Sequence, residues 1–301
     1  MIRIGTRKSA LALWQANQVK KGLEKLGEEC TLVPIESSGD QDLIQPLYRM
    51  GIQGIFTKSL DRALLNQTID LAVHSLKDVP TELAEGIEIS ACLKRGSARD
   101  VVVHHPNFSD WTQNSVIGTG SLRRTAQWLR KYPHHKTENL RGNLQKRLEK
   151  LEASQWGGAI FAQAGLERMG LLNTNYSVLD WMLPAPAQGI IGIASLKENS
   201  TLSKVIQELN CKETALCAEV ERTFLTTLEG GCTAPIGAYA FVKDQNVHFH
   251  GGLFSLDGKQ ALEHQTESHL DQAANLGKKA ALHILEKGGT ALMQQIKREL
   301  K

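Results

Sequence analysis

The chain is poor in the features that make several functions easy to recognise. Only 5% of its 301 residues are aromatic, and these do not interleave with the basic ones, so it lacks the stacking platforms of a single-strand nucleic-acid binder. Charge of neither sign dominates. Thirty-five Lys and Arg face 32 Asp and Glu, and a net charge of +3 is too mild for binding nucleic acid by bulk electrostatics. No apolar run approaches the ~18–20 residues of a membrane span. Met1-Ile2-Arg3-Ile4-Gly5-Thr6-Arg7-Lys8 reads as a strand entering a polar turn, not as a secretory leader. A cytoplasmic protein is expected, with neither membrane nor nucleic acid as partner. Cysteine is scarce and odd in number: Cys30, Cys92, Cys211, Cys217 and Cys232, with no Cys-x-x-Cys pair, which argues against a disulfide framework. The pairs His104-His105 and His134-His135, and the alternation His248-x-His250, lack partners at zinc spacing. They are expected at the surface, with no metal.

What the chain does have is a repeat. Ile4-Gly5-Thr6 leads through polar residues into a helical stretch over 9–26, and Ile117-Gly118-Thr119 leads through Gly120-Ser121-Leu122-Arg123-Arg124 into another ending near 131. Each is followed by a strand (31–37 and 137–140), a glycine turn, a helix (57–66 and 144–153) and a closing strand (70–73 and 158–161). This β-α-β-α-β pattern, met twice, predicts two parallel α/β domains; one large doubly wound sheet is the alternative. A recurrence after ~110 residues matches the size of a small domain and favours two.

The last third changes rhythm. A helix is expected over 213–228, then strands near 236–242, 247–254 and 260–268 joined by hairpin turns. Asp271 is expected to cap a helix running to about 287, which Gly288-Gly289 breaks. The Pro/Gly-rich stretch 183–189 reads as a crossover that returns the following strand to the first domain. The expected domains are therefore 1–94 with 190–210, 95–189, and 211–301.

Ligands of α/β domains bind at the carboxyl ends of the strands. Here those ends carry Arg7, Lys8, Lys77, Arg123, Arg124 and Arg141, with Lys58, Arg147 and Arg168 on the helices or turns that follow. Ser9, Thr119 and Ser121 fall where helices begin, so their hydroxyls and nearby N–H groups can also meet anions. Any one of these cations is by default a solvated surface charge. Drawn from both repeats, the set points to a small polyanionic ligand held between two domains. One acid stands among them, Asp78 in His74-Ser75-Leu76-Lys77-Asp78-Val79-Pro80. It is either a cap or partner of Lys77, or a carboxylate placed to steady a developing cation. Cys232, in Leu228-Glu229-Gly230-Gly231-Cys232-Thr233, is either an inert thiol or one that a flexible loop brings close to something bulky. Residues 41–56 are a lid or an ordinary long loop.

Taken together, Ile4-Gly5-Thr6-Arg7-Lys8-Ser9, Ala72-Val73-His74-Ser75-Leu76-Lys77-Asp78-Val79-Pro80, Gly118-Thr119 with Ser121-Leu122-Arg123-Arg124, Leu140-Arg141-Gly142-Asn143, Ala164-Gly165-Leu166 and Leu228-Glu229-Gly230-Gly231-Cys232 resemble the hydroxymethylbilane synthase (porphobilinogen deaminase) family, in its order and over nearly the whole chain. The resemblance implies an α/β fold of two periplasmic-binding-protein-like domains plus a small C-terminal α+β domain with a three-stranded antiparallel sheet. It implies a transferase of tetrapyrrole (porphyrin, heme) biosynthesis. Such an enzyme joins four porphobilinogens head to tail with loss of ammonia and releases linear hydroxymethylbilane by hydrolysis.

The implied cofactor is dipyrromethane, bound to Cys232 through a thioether. The implied catalytic residue is Asp78. Cofactor contacts are implied for Ser75, Lys77, Ser121, Arg123, Arg124 and Arg147, and substrate contacts for Arg7, Ser9, Lys58, Arg141, Arg168 and Gln188. The partners implied are porphobilinogen and the growing polypyrrole, with the product passed from a monomer to uroporphyrinogen-III synthase. The chain departs from the family pattern at Gln53 (lysine expected), Gly120 (serine), Ala187 (glycine) and Ala194 (glutamate). A non-catalytic two-lobed anion- or effector-binding protein is the alternative; it would need neither Asp78 nor Cys232.

Overall fold

A computed structural model describes residues 1–36, 57–112, 115–172, 175–228 and 234–300. Cys232, the segment 41–56 with Gln53, and the first glycine turn at 38–40 lie outside the described residues. The chain opens with β1 (Ile2–Arg7), α1 (Ala10–Lys25), β2 (Cys30–Ile35), α2 (Lys58–Leu65), β3 (Leu71–Ser75) and β4 (Ile87–Cys92). Ser9 starts α1 as foreseen, its hydroxyl accepting the Ala12 N–H at 3.3 Å. The buried positions Ala12, Ala16, Val19 and Leu23 then turn one stripe of α1 onto the sheet.

The second unit runs through β5 (Asp100–His104), β6 (Val116–Gly118), α3 (Leu122–Lys131), β7 (Lys136–Glu138), α4 (Leu144–Glu152), β8 (Gly158–Ala162), α5 (Gln163–Arg168) and β9 (Tyr176–Val178). β10 (Ile191–Leu196) then returns to the first unit, followed by α6 (Ser200–Gln207). The two sheets have corresponding orders, β2-β1-β3-β10-β4 and β7-β6-β8-β5-β9.

The repeat is therefore real, but the sheets are not wholly parallel. β1 pairs in parallel with β2 and β3, and β6 with β7 and β8. β10 is antiparallel to both its neighbours, and so is β5. The reason is topological: each of these strands enters its sheet from the other lobe rather than through a right-handed β-α-β crossover. The two crossing segments lie side by side, with the Gly96 N–H donating to the Gly189 carbonyl at 3.0 Å. Gly189 has φ 85°, and a β-carbon there would stand 2.5 Å from the Ser97 carbonyl oxygen, so only glycine fits. Apolar clusters cover both faces of each sheet, which is why the inner strands read as continuous apolar runs.

The C-terminal unit comprises α7 (Lys212–Thr227), an antiparallel sheet β11 (Ile236–Lys243), β12 (Asn246–Phe254) and β13 (Ala261–His269), then α8 (Leu276–Ile284) and α9 (Thr290–Glu299). The family's three-part α/β architecture is thus present. Asp271 does not cap α8: it sits inside a 3₁₀ segment, Leu270–Asn275, and its carboxylate faces His269 at 3.4 Å. The side chain of Asn275, where α8 begins, makes no cap hydrogen bond. Gly288, with φ 109°, breaks the helix as its sequence position implied.

The histidine expectation needs correcting too. One member of each adjacent pair is buried in an aromatic cluster: His104 against Phe108, and His135 accepting the Trp128 indole N–H at 3.2 Å. Among the described residues no group of three or more His, Cys, Asp or Glu is placed to hold a metal ion.

Candidate functional site

β3 ends at Ser75 and runs straight into a single 3₁₀ turn, Leu76–Asp78. That turn carries Lys77 and Asp78 beyond the sheet edge. Ser75 is tied from below by the buried Gln15 of α1, whose amide donates to its hydroxyl at 2.8 Å. The turn is fastened from the C-terminal unit by Arg222 of α7, which donates to the carbonyls of Val79 (2.9 Å) and Pro80 (2.6 Å). The half-buried Asp78 carboxylate does none of this fastening. Beside the turn, His74 is buried, and burial together with the charge of Arg7 pushes its imidazole down to about 4.

In the second lobe, Ser121 begins α3 with extended backbone and no side-chain cap bond. Arg123 and Arg124 follow in the first helical turn. Sequence reasoning placed both among the contacts to a ligand; in the structure both are buried and bound to Asp100. Arg123 Nη1 donates to Asp100 Oδ2 at 2.7 Å and to the Leu183 carbonyl at 2.6 Å. Arg124 Nε and Nη2 reach Asp100 Oδ1 at 3.0 and 2.8 Å, and its Nη1 reaches the Ile160 carbonyl at 3.0 Å. Burial alone would raise the Asp100 carboxyl. The two guanidinium groups reverse this and hold it well below the usual carboxylate range.

Gln188 is likewise committed internally. It is fully buried, its amide donating to the Ala98 carbonyl (2.7 Å) and Asp100 Oδ1 (3.0 Å) while its oxygen accepts from Lys77 Nζ at 3.2 Å. Arg168 donates to the Gly189 carbonyl at 2.6 Å and lies over the Trp14 ring of the other lobe at 5.7 Å. Arg147 Nε donates to the Gly142 carbonyl at 2.8 Å, Arg141 is buried just after β7, and Arg7 ends β1. Lys58 is exposed at the start of α2.

The charges at these strand ends do not balance. Five cations (Lys77, Arg123, Arg124, Arg141, Arg147) share one neighbourhood with two carboxylates, Asp78 and Asp100. Burial, with Arg124 and Arg123 adding to it against Asp78 and Asp100, pushes Lys77 down to about 8. Burial, then Arg124 and Arg141, push Arg147 down to about 10, with Asp78 opposing. Arg123 Nε is buried with no hydrogen-bond partner. A site short of negative charge, with an orphaned donor, fits a ligand bearing several carboxylates, and dipyrromethane with its acetate and propionate groups is of that kind.

Three residues that matter here escaped the sequence reading: Asp100, Arg95 and Glu221. Glu221 shares the α7 stripe Cys217, Val220, Glu221, Phe224, whose helical spacing marks it as buried. Asp100 opens the apolar run Val101-Val102-Val103, the one signal that it leads a buried strand. The four described cysteines are free; burial raises the thiols of Cys30, Cys92 (to about 11) and Cys217 (to about 12) and leaves them poor nucleophiles.

Two α/β lobes with an unbalanced basic region at their strand ends define a protein that takes a polycarboxylate between its lobes. Residues 2–204 match the family model described as porphobilinogen deaminase, dipyromethane cofactor binding domain, and residues 215–286 match the porphobilinogen deaminase C-terminal domain. A porphobilinogen deaminase of Carboxydothermus hydrogenoformans is 39% identical over 98% of this chain and 97% of its own length. One of Methylobacillus flagellatus is 38% identical with the same coverage. A solved periplasmic binding protein of Salmonella typhimurium with high arginine specificity is 16% identical, with a TM-score of 0.40 over 71% of this chain and 93% of that one. The chain belongs to the porphobilinogen deaminase family.

Proposed function

We propose that the protein is a hydroxymethylbilane synthase, a transferase that condenses four porphobilinogens head to tail, each losing ammonia, and releases the linear tetrapyrrole by hydrolysis. The observation that carries this reading is the charge imbalance around Lys77, Arg123, Arg124, Arg141 and Arg147, with the single carboxylate of Asp78 free of fastening duties. Each pyrrole added brings an acetate and a propionate, which this excess of cations accommodates.

A dipyrromethane on Cys232 supplies the free pyrrole position to which the first substrate is joined. Ser75, Ser121, Lys77, Arg123 and Arg147 are the residues proposed to hold it. Arg124 takes part through Asp100, by keeping Arg123 and the start of α3 in place. Arg7, Ser9, Lys58, Arg141 and Arg168 are proposed to meet incoming and growing chain, with Gln188 setting Lys77 rather than reaching substrate itself. Asp78 has the sign opposite to every other charged group proposed to face substrate. When ammonia leaves, positive charge spreads over the pyrrole and its methylene, and a fixed carboxylate favours that cation over the neutral ground state. The same carboxylate can accept the pyrrole N–H.

We propose the domain limits 1–94 with 190–210, 95–189 and 211–301, a monomeric cytoplasmic enzyme, and uroporphyrinogen-III synthase as recipient of the product. The deciding experiment combines intact mass with turnover. Purified protein should be heavier than its polypeptide by one dipyrromethane and should convert porphobilinogen to hydroxymethylbilane. A bare polypeptide with full activity, or an inert protein that merely binds pyrrole carboxylates, would favour the non-catalytic alternative.

A further inference from the structure

The return crossover contains a backbone anomaly. Ala187, fully buried, has φ 60°, a left-handed conformation that a β-carbon disfavours and that persists only where the surroundings enforce it. The enforcing group is on the C-terminal unit. Glu221 of α7, wholly buried, accepts the Ala187 N–H on Oε2 at 2.6 Å and the Ala240 N–H on Oε1 at 2.7 Å. Arg95 spans both oxygens, at 2.6 and 3.2 Å, and its Nε donates to the Gln188 carbonyl at 2.9 Å. The dipeptide is thus held at both ends, by Glu221 at the N–H of Ala187 and by Arg95 at the carbonyl of Gln188. From that grip the Gln188 side chain extends to Asp100 in one direction and Lys77 Nζ in the other.

We propose that Glu221 is a positioning residue: through Arg95 and the left-handed turn at Ala187 it sets Gln188 between Asp100 and Lys77, and so fixes the Lys77 ammonium for carboxylate binding. This rests on the reading of the site given above. Glu221 acts wholly through other residues. The groups whose charge bears on Lys77 are Asp78 beside it, Asp100 of β5, and Arg123 and Arg124 of α3; the neutral Gln188 oxygen is the contact that Glu221 controls. The competing view is that Glu221 and Arg95 only rivet the C-terminal unit to the crossover.

The two views separate on the titration of Lys77 itself, followed by side-chain NMR with the signal assigned through Lys77→Arg. Glu221→Gln keeps the size of the side chain and removes its charge. Its Lys77 should titrate about half a pH unit or more below the wild type, because the ammonium loses the oxygen that favours it. Adding Ala187→Gly should move the midpoint back, since glycine enters the left-handed region without enforcement. With porphobilinogen, kcat/KM of Glu221→Gln per folded molecule should fall ~10–100-fold, the scale of a misplaced binding group, and its alkaline limb should shift the same way.

An unmoved midpoint in folded Glu221→Gln overturns the proposal. Should that variant not fold, Gln188→Leu removes the same contact directly, and an unmoved Lys77 there overturns it equally. A wild type that turns over no porphobilinogen while the midpoint still shifts would sink the assigned reaction and uphold the positioning role.

Discussion

Arg222 donates to the carbonyl of Pro80 at 2.6 Å, so a helix of the C-terminal unit holds the turn that presents Asp78. Because the turn is fastened from outside, Asp78 can be altered without releasing it. Asp78→Asn is therefore expected to keep its melting temperature while turnover falls ~10²–10⁴-fold, the range for loss of one well-placed catalytic group. A cap or salt-bridge role gives the reverse pattern, a lowered melting temperature with nearly intact activity per folded molecule. Both quantities are read on one preparation.

Asp100→Asn should behave in the opposite sense. It strips charge from a carboxylate with 0% exposure that neutralises two buried guanidinium groups, and breaking such a cluster costs ~3–5 kcal/mol. Denaturant unfolding should show a loss of that order. A loss below about 1 kcal/mol, the scale of a surface pair, would mean that Arg123 and Arg124 find other partners.

The titration of Lys77 links pH to both stability and binding. Its folded pKa, about 8, lies below the ordinary 10.5, so the unfolded chain holds the proton more tightly. As pH rises from about 8 toward 10.5 this group adds to stability, because the unfolded state binds more protons there. Over the same interval the site loses a positive charge and binds carboxylates less well. KM for porphobilinogen should rise above about pH 8, and Lys77→Arg should flatten that rise. A KM that stays level to pH 10 in the wild type would remove Lys77 from anion binding.

Peptide mapping should find the dipyrromethane on Cys232 alone. Burial keeps Cys30, Cys92 and Cys217 protonated, which leaves them poor competitors for thioether formation. Cys232→Ser should yield bare, inactive polypeptide. Attachment at Cys211 instead would refute the assignment.

Among the arginines, removal should divide by place. Arg168→Leu and Arg141→Leu are expected to keep the cofactor and stall elongation, visible as truncated intermediates by mass. Arg123→Leu or Arg124→Leu should impair cofactor loading and lower stability together, because each is bonded to Asp100.

Much of this was legible in the residues, for reasons that can be named. Ser9 announced α1 because a hydroxyl before an apolar-periodic run caps a helix, and the return of β10 followed from a Pro/Gly-rich stretch leading into an isolated apolar strand. The basic residues were found because arginine after a strand is conspicuous. What the sequence did not disclose is which charges are already spent. Arg124 and Arg141 look alike in a string of letters; only the fold shows that Asp100, 24 positions upstream of Arg124, saturates one of them. Ala187 likewise stood out as a departure from glycine, but its left-handed backbone depends on Glu221, 34 residues away on another unit.

The interleaving of the lobes bears on how the chain is made. β9, the last strand of the second sheet, is complete at Val178, whereas the first sheet waits for β10, inserted between β3 and β4 and finished only at Leu196. A ribosome therefore delivers a whole second lobe before it delivers a whole first one. The N-terminal strands emerge earliest yet must remain an open, unclosed sheet until the later lobe has been synthesised past them. Destabilising the second lobe should thus delay closure of the first during translation, even where the finished protein tolerates the change.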